Sequence, residues 1–342
     1  MRTQVVKLSL LVAAALAPLS CGGPLEKKAT GMMYEVVVVM EQADWEGEVG
    51  EAIKADLYAD VPGLPQSEAT MKIMYASPGK FDGMLTYVRN ILQVDIDPKK
   101  YTKVSLHAQK DVWADGQAVV RLNAPDAPSV VEYMRAHERI LADYYTAMER
   151  RRLTAQLEKS YHQPLSRMIE DKFGVTLKVP TAFAAYKEDG QDFFWASDNA
   201  SSGRTDVVIY TFPYESAETF TRDYLVAKRD SVMKINMPGA FPDSYMATET
   251  TYAEPAYKGI TVNGKYCGEL RGLWRMKGDM MGGPFVSHAR VDEANNRIVV
   301  VEGFVYAPET DKKNYIRRIE AALYTLHLPG EDTELPEVEI LP

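Results

Sequence analysis

The sequence has few of the residues that build metal and redox sites. It contains two cysteines, Cys21 and Cys267, and its five histidines are all more than five positions apart. Local zinc sites need closely spaced Cys or His ligands, so the sequence predicts neither a metal nor a cofactor. Walker loops, G-x-G-x-x-G and G-x-S-x-G motifs are also missing, and the sequence therefore predicts no nucleotide site and no catalytic residue.

Positive charge is scarce as well. The 342 residues include 39 Lys and Arg against 48 Asp and Glu, which gives a net charge of -9. Nucleic acids and anionic lipid surfaces attract clustered basic side chains, so this balance argues against both as partners. The nearest basic cluster, Arg150 to Arg152, stands on a predicted helix and is interpreted as a solvated face.

A membrane-spanning helix takes about 20 consecutive apolar residues, and the sequence contains no apolar run of that length. The first apolar run, residues 8–16, follows Arg2 and Lys7 without an acidic residue. This pattern is typical of a cleaved signal peptide. The run leads to "LSCG", which resembles the lipobox of bacterial lipoproteins. The resemblance implies that residues 1–20 are a lipoprotein signal peptide and that Cys21 carries the lipid. The alternative is a secreted protein in which Cys21 only lies near the cleavage site.

A lipid on Cys21 determines the expected location. Two or more acyl chains hold a protein firmly on a membrane. Residues 21–33 are then a linker, rich in Gly, Pro and Lys. In lipoprotein sorting an Asp after the lipidated Cys favours the inner membrane, and Gly22 stands there instead. The resemblance therefore implies a cell-envelope protein on the outer membrane that faces the periplasm.

The rest of the chain alternates between strand and helix patterns, which predicts an α+β fold of two mixed sheet-and-helix halves. The N-terminal half covers 34–128 and the C-terminal half, mainly antiparallel, covers 173–328. A long helix over 129–172 connects them, with Val130, Met134, Leu141 and Met148 on one buried stripe. Residues 329–342 are an acidic tail.

Several stretches resemble one family over about residues 32–328. They include "YEVVVVMEQADWEGEVGEAI", "RNILQVDIDPKKY", "RTDVVIYTFPY" and "GPFVSHARVDEANNRIVVVEGFVYAPETDKKNYIRRIEAALY". They look like a family of Bacteroidetes lipoproteins defined by a domain of unknown function. The resemblance implies a lipid-anchored envelope protein and brings no catalytic residue.

Two polar segments are candidate sites. The loop between two apolar strands offers acceptors, hydroxyls and one cation that could hold a ligand or partner; its candidate residues are Trp195, Asp198, Asn199, Arg204 and Asp206. The alternative is a solvated connection in which Arg204 pairs with Asp206. Asp95 and Asp97 end a predicted buried strand and are a weak candidate for an acid pair.

No signature decides whether the protein is an enzyme. The sequence favours a lipid-anchored binding or scaffold module, whose partner is an envelope protein or polymer. The alternative is a hydrolase that acts on envelope polymers through paired carboxylates.

Overall fold

Two β-sheets, each with its own helices, organise the chain. The computed structural model describes residues 27–188 and 192–331. The predicted signal peptide, Cys21 and most of the predicted acidic tail lie outside the described residues. The N-terminal half is here residues 27–159 and the C-terminal half residues 160–331. The α+β class and the mainly antiparallel second sheet, both predicted from the sequence, are confirmed.

The N-terminal half contains a five-stranded sheet in the order β2-β1-β3-β5-β4. Only β4 runs antiparallel to its neighbour. The strands are β1 (Glu35–Val39), β2 (Lys72–Ala76), β3 (Asn90–Ile96), β4 (Ser105–Lys110) and β5 (Ala118–Ala124). The continuous apolar run of β1 is buried at every position, as a central parallel strand requires.

Helices cover one face of this sheet. They are α1 (Gln42–Glu46), α2 (Glu48–Leu57), α3 (Ala127–Ala136) and α4 (Ile140–Lys159). Val36 and Val38 pack against them, whereas Val37 and Val39 face a second, smaller core on the opposite side. The alternation follows from the two-residue period of a strand.

The helix predicted over 129–172 is three helices in the structure. Arg139 has a φ of 65°, which ends the helical path between α3 and α4. Ser160 is extended, and Pro164 then stands in the first turn of α5 (Gln163–Phe173). The predicted stripe is nevertheless buried, because both α3 and α4 pack on the same sheet; its members are Val130, Met134, Leu141 and Met148.

The predicted linker also ends earlier than expected. Lys28 forms a β-bridge with Asp115, and Thr30 forms one with Val88. These contacts fix the segment from residue 27 onward to the N-terminal half. Only residues 21–26 of the predicted linker lie outside the described residues.

The C-terminal half is built on an eight-stranded antiparallel sheet. Its order is β10-β11-β12-β13-β8-β7-β6, with β9 beside one end of β11. The strands are β6 (Ala185–Lys187), β7 (Phe193–Ser197), β8 (Arg204–Pro213), β9 (Tyr245–Glu249), β10 (Ala256–Val262), β11 (Lys265–Lys277), β12 (Gly282–Asp292) and β13 (Arg297–Tyr306). Helices α5 and α7 (Lys313–Leu323) cover one face, and α6 (Arg222–Asn236) covers the other.

Helix α4 joins the two halves. Its N-terminal part packs in the first core, and near its other end the Thr154 hydroxyl donates to Ala321 O of α7 at 3.2 Å. The prediction that Arg150 to Arg152 form a solvated face of this helix is wrong. Arg150 lies 3.4 Å from Glu320 of the C-terminal half, and Arg152 pairs at 2.8 Å with the fully buried Glu149. Arg150 and Arg152 are only partly exposed, because the C-terminal half and strand β3 lie against them. No helix of the described residues is both long and apolar enough to cross a bilayer.

Candidate functional site

A groove of about 820 Å³ runs between helices α2 and α3. We call it the α2–α3 groove. Small and apolar side chains line the groove. Alanines of α2 and of the turn after it lie opposite larger side chains of α3; these residues are Ala52, Ala55, Ala59, Val131 and Met134. Val131 and Met134 are buried, and the alanines leave the space that a longer side chain would fill.

Asp56 is the one buried carboxylate that lines this groove, and 7% of its surface is exposed. Its Oδ1 accepts a hydrogen bond from the Ala142 N–H of α4 at 2.9 Å. Helix α4 needs this acceptor because Arg139, which precedes it, has no side-chain oxygen to cap the helix. Oδ2 of Asp56 is buried and has no hydrogen-bond partner among the residues that the structure describes.

Burial raises the pKa of Asp56 to about 6, and the hydrogen bond from the Ala142 N–H only partly opposes this rise. The pKa is raised because a charged carboxylate loses its hydration inside the protein. A ligand that brings a positive charge or a hydrogen-bond donor to Oδ2 would stabilise this buried carboxylate.

The rim of the groove is mostly acidic. Five carboxylate side chains line the groove against two guanidinium groups; the acidic residues are Glu46, Glu48, Glu51, Asp56 and Glu138. Of the two cations, Arg139 is engaged, since it pairs with Asp143 at 3.2 Å and donates to Asp60 O at 3.0 Å. The groove can therefore receive a cationic group on an apolar stem, with the stem along the alanines and the charge at Asp56.

The loop predicted as a ligand site satisfies its own polar groups. Arg204 Nε and Trp195 Nε1 each donate to the buried Asp206 at 3.0 Å. Asp198 accepts from Thr205 N–H at 3.1 Å and from the Thr205 hydroxyl at 2.6 Å. The structure thus brings Trp195, Arg204 and Asp206 together, and it contains the Arg204–Asp206 pair that the sequence offered as the alternative.

Two further features of this loop are local. Asn199 adopts a φ of 50°, which an asparagine tolerates in a tight turn, and its N–H donates to Ser197 Oγ at 3.0 Å. Burial raises the pKa of Asp206 to about 6, with the Arg204 charge opposing the rise. Ligand binding at this loop stays a prediction.

The predicted acid pair at the end of β3 is bridged by a lysine. Lys100 Nζ lies 3.1 Å from Asp95 and 3.5 Å from Asp97, and the Tyr101 hydroxyl donates to Asp95 at 2.8 Å. The hydrogen bond from Tyr101 lowers the pKa of Asp95. A general acid needs a raised pKa, so this arrangement does not favour the hydrolase that the sequence left open.

Asp56 and the groove were missed in the sequence. Asp56 falls within a helix whose apolar stripe predicts its buried face, and nothing in the local pattern marks the aspartate as buried. The signal that could have found it is indirect: Arg139 precedes α4, and a helix without its own capping residue requires an acceptor from elsewhere.

The described residues contain no cluster of metal-ligating side chains. Among residues 27–188 and 192–331, no group of three or more His, Cys, Asp and Glu side chains is arranged to hold a metal ion. Cys267 is buried, and burial raises the pKa of its thiol to about 12. Cys21 lies outside the described residues.

Two family models match the chain, and each is described only as a domain of unknown function. Domain of unknown function DUF8532 matches residues 29–158, and Domain of unknown function DUF4837 matches residues 162–325. The boundary between them falls at the turn between α4 and α5. The α2–α3 groove lies in the first domain and the predicted Arg204 loop in the second. No curated protein matches the chain.

Proposed function

We propose that this protein is a lipid-anchored binding module of the cell envelope. The anchor rests on the sequence, where a basic N-terminus, an apolar run and a Leu-Ser-Cys-Gly segment follow one another as in bacterial lipoproteins. Gly22 after Cys21 favours the outer membrane and its periplasmic side. Residues 27–331 then form a body that a lipid holds at the membrane.

Replacing Cys21 with Ser tests the anchor. The Cys21→Ser protein is expected in the soluble fraction of fractionated cells, without label from a fatty-acid analogue. The parent protein is expected in the membrane fraction with label. Continued labelling of the Cys21→Ser protein would refute the lipid assignment.

The binding activity is assigned to the α2–α3 groove. The observation that carries it is the buried Asp56 carboxylate, which lines the groove with one oxygen that no described residue satisfies. Unsatisfied buried polar atoms are uncommon in folded proteins, and a ligand that supplies a donor removes the penalty.

The chemistry of the groove selects a class of ligand. An aliphatic stem fits the surface of Ala52, Ala55 and Met134, and a primary ammonium group can reach Asp56. The acidic rim attracts the same charge over a longer distance. A lysine-like side chain of an envelope protein or polymer has both parts, so this is the ligand class that we assign.

Calorimetric titration of the protein with three small probes tests this assignment. Hexylamine is expected to bind, whereas hexanol and hexanoate, with the same stem and no positive charge, are expected to bind weakly or not at all. Asp56→Asn keeps an oxygen for the Ala142 N–H and removes the charge, so it should abolish the preference for the amine.

Asp223→Asn is the matched control, because Asp223 is exposed on α6, far along the chain from the groove. It should bind hexylamine as the parent does. Equal binding of hexylamine and hexanol, or full amine binding by Asp56→Asn, would contradict the assignment.

A further inference from the structure

Strand β10 forms one edge of the C-terminal sheet. It pairs with β11 on one side, and residues 256–262 make no other backbone hydrogen bond among the residues that the structure describes. Ala256, Lys258, Gly259 and Thr261 are exposed. An uncovered edge strand offers N–H and C=O groups to another strand, and folded proteins usually cover or block such an edge. The free edge of β10 is therefore a candidate docking surface for an extended segment.

The last described residues of the chain lie next to the end of β10. Asn263, which follows β10, donates from its side-chain amide to Leu326 O at 3.0 Å. Arg290 of β12 donates to the same oxygen at 3.0 Å and also pairs with Glu331. Residues 332–342 therefore leave the body at the end of the sheet where β10 ends.

The free edge of β10 lies within reach of these residues. Arg290 stands on β12, and a strand added beside β10 would lie three strand spacings from β12, or about 14 Å. Residues 332–336 span at most about 17 Å when extended. Residues 337–341 can therefore start beside the end of β10 and run antiparallel along it.

The sequence after Glu331 has the alternation of a strand. In an extended conformation Glu337 and Glu339 lie on one face, and Val338 and Ile340 lie on the other. Residues 332–342 contain no Lys or Arg, so every charged side chain of this segment is acidic.

The two faces of β10 match this alternation. Lys258 is exposed on one face. The other face carries aromatic rings, because the Tyr257 and Tyr266 hydroxyls lie 2.6 Å apart and a Cβ added to Gly259 would lie 2.9 Å from the Tyr266 ring. A segment that turns its acidic face towards Lys258 turns its apolar face towards these rings.

We propose that residues 337–341 of the same chain pair with the free edge of β10 as an added antiparallel strand. The pair of Arg290 and Glu331 is the described part of this contact, and it holds the point from which residues 332–342 start. The added strand replaces an open edge by a short acidic one, which resists pairing with other chains.

Hydrogen exchange of the β10 amides in the full chain tests the proposal. Val338→Pro removes an N–H from the pairing segment, and its ring disturbs the ladder. The amides of residues 256–262 that do not bond to β11 should exchange slowly in the parent and about tenfold faster in Val338→Pro. Strand β6, at the other edge of the same sheet, should exchange equally in both proteins.

Thr333→Pro is the matched control, because it introduces the same residue into the connecting segment and leaves residues 337–341 intact. Its β10 amides should exchange as in the parent. Lys258→Gln should speed their exchange, because it removes the cation beside the acidic face of the added strand.

Three results would overturn the proposal. Equal exchange of the β10 amides in the parent and in Val338→Pro would show that residues 337–341 do not cover this edge. Equal acceleration by Thr333→Pro and Val338→Pro would show that the effect does not come from pairing. Protection that falls when the protein is diluted, with a dimer in sedimentation, would assign the edge to a second copy of the chain.

Discussion

The two oxygens of Asp56 are in different states. Oδ1 caps helix α4 through the Ala142 N–H, and Oδ2 is buried without a hydrogen-bond partner among the described residues. Its own position in α2 is unfavourable, since a carboxylate near a helix C-terminus opposes the helix dipole. The cap that it supplies to α4 explains why an aspartate is both buried and placed at the unfavourable end of its own helix.

The raised pKa of Asp56 predicts a pH dependence of stability with a definite sign. Its pKa is about 6 in the folded protein and near 4 in the unfolded chain, so the fold favours the protonated carboxyl. This contribution is fully present below pH 4 and is lost as the pH rises to 6. By linkage the loss amounts to about 3 kcal/mol.

Urea unfolding of the parent and of Asp56→Asn at pH 4 and pH 7 measures this effect. The parent should lose about 2 kcal/mol relative to the variant between these pH values, because the unfolded carboxyl is already half ionised at pH 4. Asp206, whose pKa is also raised, titrates in both proteins and cancels in the comparison. A stability difference that is the same at both pH values would contradict the assignment to Asp56.

At the scale of the element, two helices receive their caps from distant parts of the chain. Helix α4 begins after Arg139 and helix α7 after Lys312, and neither side chain caps its helix. Asp56 supplies the acceptor for α4. Glu68 supplies it for α7, accepting from Lys312 N–H at 2.8 Å and from Lys313 N–H at 3.0 Å.

Replacing Glu68 with Ala should destabilise the protein by about 1 to 2 kcal/mol. The change removes both acceptors from the N-terminus of α7 together with a favourable charge at the positive end of its dipole. Denaturant unfolding measures the change in the free energy of unfolding. Glu132→Ala, at an exposed site on α3, is the control and should change it by no more than about 0.5 kcal/mol. A loss equal to that of the control would show that solvent replaces the cap.

These distant caps explain what the sequence could and could not predict. The alternation of strands and helices could be predicted, because an apolar β-branched run such as that of β1 signals a buried strand directly. The predicted start at residue 129 was two residues late, because the Asp126 side chain caps α3 and the helix begins at Ala127. The three-way division of the region from 129 to 172 also escaped prediction, because the cap of α4 lies 86 positions away in the chain.

At the scale of the whole molecule, a charge cluster with buried carboxylates and partly exposed arginines joins the two halves. Arg150 of the N-terminal half and Arg271 of the C-terminal half both pair with Glu320, and Arg271 also pairs with Glu269 at 2.8 Å. The two guanidinium groups are compensated only while these carboxylates are in place. Sequence reasoning placed Arg150 in solvent because its partners lie in the other half.

Glu320→Gln should therefore lower the free energy of unfolding by about 3 kcal/mol, since it removes the carboxylate that pairs with Arg150 and one of the two that pair with Arg271. Tryptophan fluorescence follows the unfolding, because Trp45 and Trp113 report on one half and Trp195 and Trp274 on the other. Glu51→Gln, at an exposed site, should change the stability by less than about 0.5 kcal/mol. An equal effect of both substitutions would mean that the halves do not depend on this cluster.

The central claim is that Asp56 receives a cationic ligand in the α2–α3 groove. The most direct measurement is the pKa of the Asp56 carboxyl, followed by carbon NMR during a pH titration with and without saturating hexylamine. We expect a pKa of about 6 in the free protein and a clearly lower pKa with the amine, because the bound ammonium group stabilises the carboxylate. An Asp56 pKa that is unchanged by the amine would contradict the claim.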